Sequence, residues 1–481
     1  MNGGEGALAA SMHEPRTSLW SMISAHPLAT VFVFALAIRL INVALLKGDA
    51  SFFAEADTLG YWALGTELAK PGALWPTLTS LTYRMPLYPL LLAGTESVFG
   101  DAPRAIAVVQ AVIDAGTCSL IAALGALLSP RVGWTAGILA ALSVTLVVFS
   151  SQILTETLFV FFFTLMLLAG AHFLLRPTCG LAFLAGLAGG LSLATRPAAA
   201  VLLVAAVPLV VVVVLRHQRR LVPALVAASL FIVGAVVPVA PVWLRNVLHY
   251  DSFRLMSETG DHLALWIVPL VTQRADGTPY QTTMERIEAR YRQRLAELGL
   301  DDASNPFQRD AVKTEVAREA MAHLPFAAYA KAWLEGMMVN LAAPALLDDP
   351  RVRALPKPSF YNTRGTTLWE RARAYLFEDP GLYQVLLLAG LIGMVPFLVL
   401  EAIGFVMLAR MLPWAAVLAG GVLAYFLLLN GPVATPKYRM PMEPVLIVLA
   451  ALPLAWLIDR RRLQRERQVS VREDRCAELQ G

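Results

Sequence analysis

The first chemistry-bearing residues stand in the stretch EADTLGYWALGTELAK, which holds Asp57, Tyr61 and Glu67. Asp57 and Tyr61 are four apart, so on a helix they share a face. Arg84 follows in YRMPLYPLLLAG, beside Pro86 and Pro89, which interrupt a regular helix there. Other charges stand where long apolar runs begin or end: Glu156 in SSQILTETLF, Arg196 in SLATRPAA, Arg245 with Asn246 in APVWLRN, and Lys437 with Arg439 in GPVATPKYRMPMEP. A carboxylate can take a proton from a hydroxyl nucleophile. Clustered cations can hold a phosphate by charge-assisted hydrogen bonds. Together these types suit chemistry on a lipid phosphate at one membrane face. Taken singly, each charge reads as an interfacial anchor that snorkels to water, and the loop 47–103 as a solvated segment with an amphipathic helix resting on the membrane.

The elements that must position these residues are apolar. The chain has 481 residues with 57% hydrophobic and 15% charged, and a mean hydropathy of +0.61. A soluble domain carries about 25% charged residues, so a water-soluble enzyme and a disordered chain are both excluded. Ten membrane spans are predicted, at 27–46, 104–128, 133–150, 155–175, 179–195, 198–215, 221–244, 382–409, 413–430 and 441–458. Helices are the expected form, because lipid cannot satisfy an open backbone. The segment 86–99 is apolar but short, and reads as a re-entrant or interfacial helix. The first 26 residues are mixed and polar, so the run from Pro27 reads as a start-transfer helix that stays in place.

Short loops with Arg131, Arg176, Arg216, Arg219, Arg220 and Arg410, and the tail from Arg460 to Arg467, put positive charge on one side. That marks the cytoplasm. Both termini are then inside, and 47–103, 150–154, 245–381 and 431–440 lie outside together. The expected organisation is an N-terminal transmembrane module at 1–244 with its first outer loop at 47–103, an outer helical soluble domain at 245–381, C-terminal spans at 382–458 and a basic tail at 459–481. Helix-like pieces stand at 284–298 and 306–322. The net charge of +4 matters by where it sits, not as a sign of nucleic-acid binding.

Arg39 and Asp114 fall inside predicted spans, where charge is costly and often functional; the structural alternatives are that Arg39 reaches the interface and that Asp114 pairs with a neighbouring helix. The seven His show no metal spacing, and the three Cys suggest neither a disulfide nor a zinc site. Gly186, Gly189 and Gly190 read as a close helix contact.

Several pieces, in this order, resemble bacterial GT-C glycosyltransferases of the protein-mannosyltransferase-like superfamily, which includes the lipid A aminoarabinose transferases. They are ADTLGYWALGTELA, YRMPLYPLLLAG, VVQAVIDAGTCSLIAALGALL, SSQILTETLFVFFFTLMLLAG, LAGLAGGLSLATRPAA, APVWLRN and KYRMPMEPVLIVLAALPL. The resemblance covers about residues 30 to 260 and 380 to 458. It implies an all-α GT-C-like bundle with a helical domain on the outer face, and transfer of a sugar from a polyprenyl-phosphate donor to an acceptor there. It also implies Asp57 as the catalytic carboxylate and Arg84 as the residue that binds the lipid phosphate. Arg245 and Asn246 match an Arg-Asn pair typical of the family. Where the aminoarabinose transferases have an acidic residue before the basic one, this chain has Tyr83, so a divalent metal has no support here and no cofactor is specified.

The sequence reading is therefore an inverting, integral-membrane glycosyltransferase of the bacterial inner membrane, with its active site on the periplasmic face. Asp57 is its base, and Arg84, Arg245, Lys437 and Arg439 are its donor-phosphate cations. Tyr61, Glu156, Arg196 and Asn246 support them. The partners are the bilayer, a polyprenyl-phosphate-linked sugar and an acceptor hydroxyl on a lipid, glycan or protein; nucleic acid is not among them. The alternative is a transporter or flippase of a lipid-linked sugar, which would favour internal repeats and midplane broken helices.

Overall fold

A computed structural model describes residues 26–54, 56–356 and 368–478. The expectations for the polar segment 1–25, and part of that for 245–381, lie outside them. Among the described residues the regular structure is helical, with no strand.

Seven helices are long and apolar enough to cross a membrane: Pro27–Leu45, Pro103–Ala126, Glu156–Leu175, Pro197–Gln218, Leu382–Met411, Pro413–Asn430 and Pro436–Arg460. Two bent helix pairs also pass together, and counting each pair as one span brings the number among the described residues to nine. The chain is thus a multi-pass membrane protein. The tenth expected span, 179–195, is the helix Cys179–Thr195, whose 17 residues make it shorter than the others. The segment 86–99 forms the helix Leu87–Phe99.

Both bends have local causes. Pro130–Leu142 and Val144–Ser150 meet at 49° around Ser143, whose ψ of 116° leaves the helix and whose side chain caps the next one at the Leu146 amide. Leu221–Val236 and Ala240–Tyr250 meet at 67°. Pro238 and Pro241 flank that break, and each lacks the N–H that would continue the helical ladder. This second bend carries Arg245 and Asn246 away from the span's axis, and it puts the expected domain boundary at 244/245 inside a helix. The expected boundary at 458/459 likewise falls within Glu443–Glu478.

Close backbone contact holds the bundle. A Cβ on Gly186 would lie 2.1 Å from the Phe231 carbonyl oxygen, and one on Gly190 2.4 Å from that of Ala235. Cys179–Thr195 and Leu221–Val236 therefore pack backbone to backbone, as small residues permit in membrane helices. Arg39 does not reach the interface. It is fully buried, donates to Asp114 at 2.7 Å and to the Ala141 carbonyl at 2.6 Å, and so ties three helices together. The last span is the most enclosed, with 78% of its apolar stretch buried against 6% for Leu382–Met411.

One end of the bundle is distinct from the other. Arg131 pairs with Asp459, and Arg216 lies over the Trp414 ring at 5.5 Å, which gathers the basic short loops at a common end. The opposite end carries a helical region after residue 245. Tyr280–Glu297 and Pro306–Ala322 stand where the sequence predicts helices. Ile267, Val271, Ala328 and Ala332 pack with Val433, so this region is joined to the turn between the last two spans.

Candidate functional site

Helix Ala56–Ala69 follows the first span and carries Asp57 in its first turn. Tyr61, one turn on, presents its ring to the Arg84 guanidinium at 5.1 Å. A second ring, Tyr88, meets Tyr61 edge-on at 5.3 Å and fixes it from behind. Arg84 sits on an irregular stretch just before helix Leu87–Phe99, which starts after Pro86; Pro89 does not interrupt the helix as expected, because in the first turn its missing N–H costs no helical bond. One of its terminal nitrogens donates to Asp57 Oδ1 at 2.8 Å and the other to Glu258 Oε1 at 2.8 Å. Lys437 brings its Nζ to 3.6 Å from Asp57 Oδ2. The result is an Arg held between two carboxylates, one of which also faces a Lys.

A second pair adjoins it. Arg196, at the end of Cys179–Thr195, is paired with Glu156 at the start of Glu156–Leu175. Glu156 is buried and accepts a further bond from Thr155 Oγ1 at 3.2 Å. Tyr61 feels the charges of Arg84, Arg196, Glu156 and Glu258 together; burial dominates and pushes its phenol up to about 12. Burial also pushes the Glu258 carboxyl up, against the pull of Arg84. Burial opposes the charge on Arg84, but Tyr61, Glu258 and Asp57 outweigh it and hold its pKa above the usual range.

The structure brings Asp57, Tyr61, Arg84, Glu156, Arg196 and Lys437 into this one region. It keeps the other expected residues apart from it. Arg245 donates to the Leu78 carbonyl at 2.5 Å and to Asn246 Oδ1 at 2.7 Å. Asn246 is fully buried and donates to the carbonyls of Arg254 and Leu255 at 2.8 and 3.0 Å. The pair therefore fastens the short helix Leu74–Ser80 and the loop at 254–255, just before Arg84 and Glu258 in the chain. Arg439 is buried, 2.8 Å from Glu443, and also bonded to Glu401 and the Leu341 carbonyl. Sequence reasoning missed Glu258 and Glu401. Glu258 stands in a polar loop with no pattern to single it out. Glu401 lies within an apolar run, where a lone acid is a signal.

Among the described residues, no three His, Cys, Asp or Glu side chains come together in a metal-ligand arrangement. A cavity of about 550 Å³ lined by Arg254, Ala311, Thr314, Glu315, Arg318 and Glu319 shares no residue with this cluster.

Residues 83–244 match the family model of dolichyl-phosphate-mannose-protein mannosyltransferases. The match spans about a third of the chain. The mannosyltransferase-like segment holds Arg84, Glu156 and Arg196, whereas Asp57, Glu258 and Lys437 reach the cluster from outside it. Among solved structures, ArnT from Cupriavidus metallidurans bound to undecaprenyl phosphate aligns at 14% identity over 89% of this chain and 77% of its own, with a TM-score of 0.36. The same protein in the apo state aligns at 14% identity and the same coverages, with a TM-score of 0.35. No curated protein has a significantly similar sequence.

Proposed function

We propose that this protein is a glycosyltransferase that moves a sugar from a polyprenyl-phosphate donor to an acceptor hydroxyl at the outer face of the bacterial inner membrane, with both termini in the cytoplasm. The observation that carries the reading is Asp57 set between Arg84 and Lys437. The match of residues 83–244 to the dolichyl-phosphate-mannose-protein mannosyltransferase model supports it.

Asp57 accepts the proton as the acceptor oxygen attacks the sugar's anomeric carbon. The bond to the phosphate oxygen breaks on the opposite side, so the configuration inverts. Negative charge gathers on the departing phosphate, and preoriented cations lower that barrier most where water is excluded. Arg84 and Lys437 are the cations at hand. Arg196, held by buried Glu156, adds positive potential behind Tyr61. Arg245 and Asn246 act by fixing the helix end and the loop that lead to Arg84 and Glu258. Arg439 braces the last spans.

A polyprenyl tail must stay in lipid while its phosphate reaches the interface, and cations near the ends of spans suit that depth. The region after residue 245 borders the cluster through Glu258 and has the position from which to select the acceptor. The test is to incubate the purified protein with polyprenyl-phosphate sugars and envelope extracts, and to compare envelope lipids and glycans of a deletion strain by mass spectrometry. Transfer in vitro with one glycan product missing from the deletion strain supports the reading. Transbilayer movement of the lipid without transfer would favour a flippase instead.

A further inference from the structure

We propose that Glu258 is a placeholder for the donor's phosphate: it occupies Arg84, is displaced when a lipid phosphate binds, and retakes Arg84 as the spent polyprenyl phosphate leaves. This rests on the reading of Arg84 as a donor-phosphate cation.

Arg84 uses one arm of its guanidinium on Asp57 and the other on Glu258, each at 2.8 Å. A carboxylate and a phosphate present the same paired oxygens to that fork. Each terminal nitrogen keeps a second N–H, but a phosphate arriving there meets two carboxylates already on the same guanidinium, so its tight paired capture displaces one of the two acids. Asp57 is the harder to move. It stands on a helix, and Lys437 faces its second oxygen.

Glu258 is differently placed. Among the described residues Arg84 is the one group that hydrogen-bonds its carboxylate, which does not cap the short helix Thr259–His262 that follows. The backbone beside it is fixed, because the Ser257 amide donates to the Thr82 carbonyl at 2.9 Å and the Ser257 hydroxyl to Thr82 Oγ1 at 3.0 Å. Exchange thus needs only a rotation of the Glu258 side chain, while Tyr61 keeps the Arg84 plane in place. The side chains are part-exposed, Arg84 at 25% and Glu258 at 35%, so a headgroup can reach both. A detached Glu258 carboxylate lies beside the phosphate and is ready to reclaim the arm.

The experiment measures affinity of the purified full-length protein for polyprenyl phosphate in detergent, with the matching polyprenyl alcohol as control. Glu258→Gln should bind the phosphate about tenfold more tightly, the scale of one charge-assisted bond no longer competed for. It should bind the alcohol as the parent does. In an Arg84→Gln background the gain should vanish. In turnover, Glu258→Gln should lower both KM for the donor and kcat, because release of the lipid phosphate slows.

Asp261→Asn removes a nearby carboxylate that does not touch Arg84. An equal gain there would mean general charge relief and overturn the placeholder. Glu258→Ala is a second variant, and no gain in either Glu258 variant overturns the proposal while leaving Arg84 as a phosphate cation if Arg84→Gln alone weakens binding. Parent-like affinity in Arg84→Gln overturns the reading of Arg84 and the placeholder with it.

Discussion

Two arginines in this protein each sit between two carboxylates, and they differ in what surrounds them. Arg439 with Glu401 and Glu443 is sealed, with side-chain exposures of 4%, 9% and 5%. Arg84 with Asp57 and Glu258 is open, at 25%, 43% and 35%. A sealed triad cannot exchange partners without exposing a bare charge to an apolar interior, so it fixes the geometry of the spans that contribute to it. An open triad can trade a carboxylate for a ligand at little desolvation cost. Equal residue types thus form a brace in one place and, as we propose, an anion site in the other, and burial separates them.

The comparison breaks most visibly at the brace. Arg439→Met should destabilise the protein by about 3–5 kcal/mol, because it leaves two buried acids unpaired. Adding Glu401→Gln and Glu443→Gln should recover much of that. Denaturant unfolding in detergent measures both, and a parent-like Arg439→Met would mean the triad is not sealed. At the open site, Arg84→Ala should leave unfolding little changed and weaken polyprenyl phosphate by about 1.5–3 kcal/mol, roughly 10- to 100-fold, with Arg84→Lys restoring part of it. Lys restoring all of it would reduce Arg84 to an anchor. Arg245 bonds a carbonyl rather than a carboxylate, so Arg245→Ala should weaken the same binding by about 1 kcal/mol, through a loosened loop. The surface pair Lys70–Glu67 sets the floor: Glu67→Gln should change stability by no more than about 0.5 kcal/mol.

The sequence reading reached the open site further than the sealed one. Apolar runs located the spans because lipid leaves the backbone no other choice. A four-residue spacing put Asp57 and Tyr61 on one helical face, where both meet Arg84. Charges at span ends were visible as a class, but their pairings were not. Arg439 looks like Lys437 in sequence; only packing shows that it turns inward to Glu401, 38 residues earlier. Glu156 and Arg196, 40 residues apart, find each other through the packing of two adjacent helices, and Arg39 finds Asp114 across 75. Glu258 was illegible because its position depends on a loop folded back onto Thr82. The bend before Ala240–Tyr250 shows how prolines can be noticed and still not yield the direction the chain takes.

As we propose, Asp57 does chemistry where Arg439's acids only hold structure. The direct measurement is turnover of Asp57→Asn, using a polyprenyl-phosphate sugar that the parent protein accepts, with unfolding in detergent measured on the same preparation. The account predicts a fall of about two to four orders of magnitude in turnover, the range for losing a general base, with stability near that of the parent. A stable Asp57→Asn protein that transfers sugar at close to the parent rate would contradict it.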